Sequence, residues 1–225
     1  MDLNISKNKV GGYLRLERMS IKKELILLSM VCVWLGLVWL GETSLLKYDF
    51  RPGTHSHSPN IWPANSQIKR NENLPTLVMF AHPKCPCTRA SIGELAKLMA
   101  HSQGKLWAYV LFTAPENTLD HWVKTDLWES AARIPGVQVA IDTNGQEAHY
   151  FDSITSGQTL LYDSQGHLLF SGGITDSRGH SGDNRGRAMI ESFLAGKVLS
   201  GLSKHTPVFG CFLVQQKSSN VSRSS

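Results

Sequence analysis

Two cysteines stand one residue apart in Cys85-Pro86-Cys87, where local charge and backbone both favour the ionised thiol. A thiolate is the nucleophile of disulfide exchange and also a ligand for soft metal ions. The triplet follows an apolar run at 75–81, which has the length and composition of a buried strand. Beyond it, Ile92, Leu95, Ala96, Leu98 and Met99 recur at helical spacing through 88–100. The triplet therefore opens a helix. Pro86 suits the first helical position, since its missing N–H would have no partner there. On that count Cys85 is the cap and Cys87 lies inside the first turn. Unpaired N–H groups and the positive dipole end of that turn favour a thiolate. Lys84 and Arg89 add positive charge nearby.

Two more residues are candidates for the same site. Cys211 lies in an apolar stretch at 205–213, after the last expected helix. If this tail folds over the motif, Cys211 resolves a disulfide with Cys85 or Cys87 or serves as a third sulfur ligand; otherwise it is a core residue. His82, three residues ahead of Cys85, is a candidate base or metal ligand. The fourth cysteine, Cys32, sits in an apolar segment near the N-terminus. Four cysteines so scattered do not make a disulfide scaffold.

The rest of the pattern supplies the frame. Strands are expected at 105–113 and 137–141, and a helix at 126–133 ended by Pro135-Gly136. Residues 144–151 are ambiguous between loop and helical turn. Runs at 158–163 and 167–171 flank Ser164-Gln165-Gly166 and read as a hairpin. A glycine-rich loop at 172–186 leads to a last helix at 187–195, capped by Asn184 and stopped by Gly196. In that loop Arg178, Arg185 and Arg187 form either an anion-binding surface or a plain solvated one. Asp142-Thr-Asn-Gly145 begins like a calcium loop but has Ser153 at its twelfth position, so it is a turn. Strands alternating with helices, then a hairpin, predict an α/β domain with a central mixed sheet flanked by helices.

The N-terminal part sets topology. The chain has 225 residues and a net charge of +5, and much of the excess lies in Lys7, Lys9, Arg15, Arg18, Lys22 and Lys23. Residues 25–41 then run without a charge, close to the roughly 20 residues that cross a bilayer. Basic residues ahead of the span predict a cytoplasmic N-terminus and a soluble part on the other side. A cleaved signal peptide is the competing reading, though no A-x-A site follows. The expected organisation is a basic N-terminus at 1–23, a transmembrane helix at 24–46 and a linker at 47–73. The domain occupies 74–200 and a cysteine-bearing tail 201–225. His55 and His57 fall in the linker, read as a solvated tether before a metal pair. No Lys/Arg run with interleaved aromatics appears in the soluble part, which sets nucleic-acid binding aside.

The run from Met79 through Thr88 (MFAHPKCPCT) resembles the active-site segment of thioredoxin-fold proteins, and the resemblance covers about 74–200. The tethered arrangement is similar to the TlpA-like periplasmic branch and, more narrowly, to membrane proteins catalogued as RedB. It implies a thioredoxin-like fold of four or five strands with flanking helices. It further implies a possible thiol–disulfide oxidoreductase, single-pass in the inner membrane, acting without a cofactor on protein thiols and disulfides in the periplasm. Aligned on the family's Cys-x-x-Cys, Cys87 takes the resolving position and Lys84 that of the nucleophile, because this motif is Cys-x-Cys. The family's cis-proline before the hairpin has no counterpart in Ile154-Thr-Ser-Gly-Gln-Thr159. The leading expectation is attack by Cys85 as thiolate and resolution by Cys87 or Cys211. Two others stay open: a Cu(I) or soft-metal binding module using Cys85, Cys87 and His82 or Cys211, and a redox-inert interaction domain.

Overall fold

The computed structural model describes residues 4–54, 56–197 and 204–213, with side chains from residue 22 onward. His55, and the expected tail at 201–203 and 214–225, lie outside the described residues. The chain divides into two units, one ending at Tyr48 and one beginning at Asp49.

The first unit is the helix α1, Asn4–Asp49, which takes in the basic stretch as well as the apolar one. Its part Lys22–Asp49, 28 residues, is long and apolar enough to cross a membrane, and among the described residues no other helix is. At 1.5 Å per residue it is about 42 Å long. Leucines, valines and tryptophans from Leu25 to Leu46 are exposed along it. Ser29, Thr43 and Ser44 each donate a hydroxyl to a carbonyl one turn back, on Ile26 or Leu40. A hydroxyl satisfied within its own helix suits an apolar surround.

The second unit runs β1 (Thr76–Ala81), α2 (Pro86–Ser102), β2 (Trp107–Ala114), α3 (Asp120–Val123), α4 (Asp126–Ala132), β3 (Val137–Thr143), α5 (Gln146–Tyr150), β4 (Thr159–Tyr162), β5 (Leu168–Gly172) and α6 (Arg185–Leu194). The sheet order is β3-β2-β1-β4-β5. β1, β2 and β3 are parallel; β4 runs antiparallel to β1, and β5 to β4. This is the expected mixed sheet. The ambiguous stretch is the turn into α5, where the Asp142 carboxylate accepts the N–H groups of Glu147 and Ala148. The four-residue α3 carries too few residues for a periodic signal and was not expected.

β1 is the centre. Every residue from Thr76 to Ala81 is buried. Leu77, Met79 and Ala81 pack on one face with Leu95 and Leu98 of α2, Phe112 of β2 and Ile190 of α6. Val78 and Phe80 pack on the other with Phe151, Leu160 and Tyr162. A strand covered on both faces reads as an unbroken apolar run, which is why it was legible.

The second face explains a difference at 50–73. The helix α5 on that side is only five residues long, and the chain after α1 packs there rather than floating as a solvated tether. Trp62 packs edge-on to Phe151 and Tyr162, with centroids 5.0 and 5.2 Å away. The Tyr162 hydroxyl donates to the Pro59 carbonyl at 2.9 Å, and Tyr109 to that of Lys69 at 3.0 Å.

The tail completes the unit. Ser171 N–H donates to Lys204 O and Gly173 N–H to Pro207 O, setting 204–207 against the end of β5. The tail then crosses to the stretch before β4. Ser156 N–H donates to Cys211 O at 2.8 Å, and Leu213 N–H to Ile154 O at 2.9 Å. Glycine allows the crossing: a Cβ on Gly210 would stand 1.9 Å from the Ser156 carbonyl oxygen. Leu213 is buried in the second core face.

Candidate functional site

β1 ends at Ala81, and the chain turns through His82-Pro83-Lys84, closed by Cys85 N–H on His82 O at 3.1 Å. Cys85 is the N-cap of α2 with an extended backbone, and Pro86 stands in the first turn. The cap-proline-thiol order expected at the strand–helix junction is present. Cys85 has 0% exposure and Cys87 7%, so neither sulfur offers itself openly to a partner.

A sulfur from outside the triplet stands against Cys85. Cys211 Sγ lies 2.8 Å from Cys85 Sγ, brought by the tail from 126 residues away. The thiols are all free. Cys87 is beside them, sharing hydrogen bonds with Cys85 and with the Arg178 guanidinium.

The three thiols are electrostatically unequal. Burial works against ionising Cys85, but hydrogen bonds from the thiol and N–H of Cys211, then from the hydroxyl and N–H of Thr88, outweigh it and hold Cys85 below the ordinary thiol range. Burial and then the Cys85 charge push Cys87 up, against the pull of Arg178. Burial, the hydrogen bond to Cys85 and the charges of Cys85 and Cys87 push Cys211 up to about 12. Cys85 is therefore the thiol that ionises more readily, and Cys211 the one that keeps its proton longer.

The support around Cys85 was not legible. Thr88 and Ser156 hydroxyls are 2.7 Å apart, and Ser156 Oγ also accepts the His82 N–H at 2.8 Å. Ser156 thus ties the helix cap to the stretch that pairs with Cys211. Arg178 supplies the site's cation: its Nη1 donates to Gly210 O at 2.9 Å, beside Cys211, while the same guanidinium reaches Cys87. The loop carrying it is pinned on Glu94, which has 0% exposure. That carboxylate accepts Gly182 N–H at 2.9 Å, Asn184 Nδ2 at 3.1 Å, Arg187 Nε at 2.9 Å and Lys97 Nζ at 2.7 Å. Arg187 also donates to Glu191, so it is part of this anchor rather than an anion site. Asn184 caps α6 as expected, accepting Arg187 N–H at 2.8 Å. The sequence marked the arginine-rich loop; nothing in it marked which arginine turns to the thiols.

His82 is engaged elsewhere. Its Nδ1 accepts Lys84 N–H at 3.2 Å, and its ring lies edge-on to Trp122 with centroids 5.8 Å apart. Burial, then the Lys84 charge, lowers its pKa, so the ring is neutral at pH 7. Among the described residues, no group of three or more His, Cys, Asp or Glu side chains is arranged to hold a metal ion.

No family model matches the sequence, and no curated sequence is significantly similar to it. Solved structures do match. An uncharacterized conserved protein from Geobacillus kaustophilus superposes with a TM-score of 0.53 at 16% identity, over 75% of this chain and 94% of that one. A hypothetical protein from Sinorhizobium meliloti 1021 gives 0.52 at 19%, over 72% and 93%. A secreted Mycobacterium tuberculosis disulfide oxidoreductase homologous to E. coli DsbE gives 0.38 at 12%, over 55% and 82%. The first two of these likenesses speak to fold alone. With three parallel strands in the order β3-β2-β1, an antiparallel hairpin beyond them and a helix-capping thiol after the first strand, the unit that begins at Asp49 has a thioredoxin-like fold.

Proposed function

We propose that this chain is a thiol–disulfide exchange protein whose working pair is Cys85 and Cys211, with Cys87 as an auxiliary thiol. The observation that carries this reading is the 2.8 Å approach of Cys211 to a buried, helix-capping Cys85. One member of the pair is held below the ordinary thiol range and the other well above it, which suits a dithiol that forms and re-forms one bond. In this reading α1 tethers the domain to the inner membrane, in the manner of the TlpA-like branch that the sequence resembles. The domain then meets protein thiols and disulfides on the periplasmic side, a compartment where disulfides persist. The Cu(I) alternative drew on His82 as a ligand and has less support, because that ring is bound to Lys84 and Trp122.

The test is to equilibrate the full chain in detergent with glutathione buffers, quench in acid and map the disulfides by mass spectrometry. A Cys85–Cys211 bond should appear and disappear with the buffer and persist in Cys87→Ala. Oxidation that leaves Cys85 and Cys211 both open to alkylation would remove the reading.

A further inference from the structure

Cys85 and Cys211 differ in what can reach them. Cys85 has no exposed surface, whereas Cys211 is partly exposed, beside Phe212 at 62%. The tail does not hang loose over the cap. Val208, Phe209 and Leu213 are buried on either side of Cys211, and its backbone is paired with Ser156. A partner sulfur that approaches the pair from solvent therefore meets Cys211 first.

We propose that partner thiols enter at Cys211 Sγ and that Cys85 is the buried leaving group, so that the chain hands a disulfide to partner dithiols rather than reducing partner disulfides. This rests on Cys85 and Cys211 being the working pair. The chemistry starts from the Cys85–Cys211 disulfide. A partner thiolate attacks Cys211 Sγ; a bond forms between those sulfurs, the bond to Cys85 breaks, and its electron pair stays on Cys85 Sγ. The partner's second thiolate then attacks the partner sulfur of the mixed disulfide. The partner's own disulfide forms, and Cys211 leaves and takes up a proton. Two electrons have passed from the partner dithiol to the pair. Exchange with the disulfide of a second protein restores the starting state.

Exchange is faster when the leaving thiol has the lower pKa and when the attacked sulfur is accessible. The two requirements fall on different residues here. Access belongs to Cys211, while the Cys211 N–H and the hydroxyl and N–H of Thr88 hold the departing charge on Cys85. The opposite direction, attack by the reduced pair on a disulfide, has one requirement unmet at each sulfur, so it is the slower step, by which the pair is reoxidised. Cys85 ionises more readily but is sealed, and Cys211 is reachable but keeps its proton at neutral pH. Arg178, bonded to the Gly210 carbonyl, keeps a cation near Cys211 for the moment that sulfur leaves.

The experiment uses the full chain carrying Cys32→Ser, in detergent, oxidised to the Cys85–Cys211 disulfide. It is mixed with glutathione as a monothiol, quenched rapidly in acid, alkylated and mapped. The expected early product carries glutathione on Cys211 and a free Cys85. In Cys85→Ser, Cys211 loaded from glutathione disulfide should keep the adduct. In Cys211→Ser, Cys85 should react with glutathione disulfide roughly tenfold more slowly than an open thiolate of equal pKa. An early adduct on Cys85 overturns the inference while the working pair stands. A chain that never forms the Cys85–Cys211 bond overturns the pair itself, and the inference with it. Direction has its own readout: the wild-type pair should sit reduced in a glutathione buffer that leaves a structural disulfide formed, and a pair that stays oxidised there overturns the donor role.

Discussion

Cys85 and Cys87 come to the site on one local element, the first turn of α2, whereas Cys211 comes on a tail that owes its place to pairing with Ile154 and Ser156. The local half is set by strand, proline and helix within a dozen residues. The distant half depends on a glycine crossing, a buried Leu213 and one arginine. Residues adjacent in sequence thus form the cap, and residues far apart form the pair.

The comparison is broken most severely by exchanging one thiol from each half. Cys211→Ala should abolish the intramolecular disulfide, while Cys87→Ala should leave it forming within a few-fold of wild type, both read by disulfide mapping. Equal losses would show that the triplet, not the tail, is the working pair. Next comes the crossing itself. Gly210→Ala places a methyl into the Ser156 carbonyl, so the tail should shift at a cost of about 1–3 kcal/mol, typical of overpacking. Thermal unfolding of the reduced chain measures that cost, and disulfide formation should weaken with it while the α2 cap stays intact.

A pH titration sharpens the contrast. Cys85 has a lowered folded pKa, so the stability it contributes to the reduced chain is fully present above the ordinary thiol range and is lost as pH falls through the lowered value. Cys211 has a raised one, so its contribution is present below the ordinary range and is lost as pH rises toward about 12. Thiolate absorbance in the Cys32→Ser background should show Cys85 titrating early, and Cys211→Ala should move that titration upward by removing the thiol hydrogen bond. No movement would mean that the tail leaves Cys85 electrostatically untouched. The smallest effect is expected from Arg178→Met. It removes one tail hydrogen bond, worth roughly two- to tenfold in the Cys85–Cys211 bonding equilibrium, and that equilibrium in glutathione buffers measures it.

Legibility followed the same division. The strand at 75–81, the helix opened by Pro86, the hairpin and the Asn184 cap all carry their signals within a few residues, and all stand where the sequence placed them. α3 was missed because four residues make no period. The docking of 50–73 was missed because proline, serine and asparagine signal irregular backbone without saying what that backbone packs on; Trp62 was the one clue. At the site, Cys211 was visible as a candidate, but its choice of Cys85 over Cys87 is a tertiary fact. Ser156 and Thr88 carried no signal at all, since a buried hydroxyl network looks like ordinary polar residues along a chain.

The sealing of Cys85 bears on chemical damage. A readily ionised sulfur is prone to peroxide, which carries it from sulfenic to the irreversible sulfinic state. Peroxide in bulk water finds no open surface on Cys85. Should a sulfenic acid form there, the Cys211 thiol stands at bonding range and condenses with it, expelling water. The packing that delays access to the reactive sulfur thus also turns its first oxidised form into a state that a thiol can reverse.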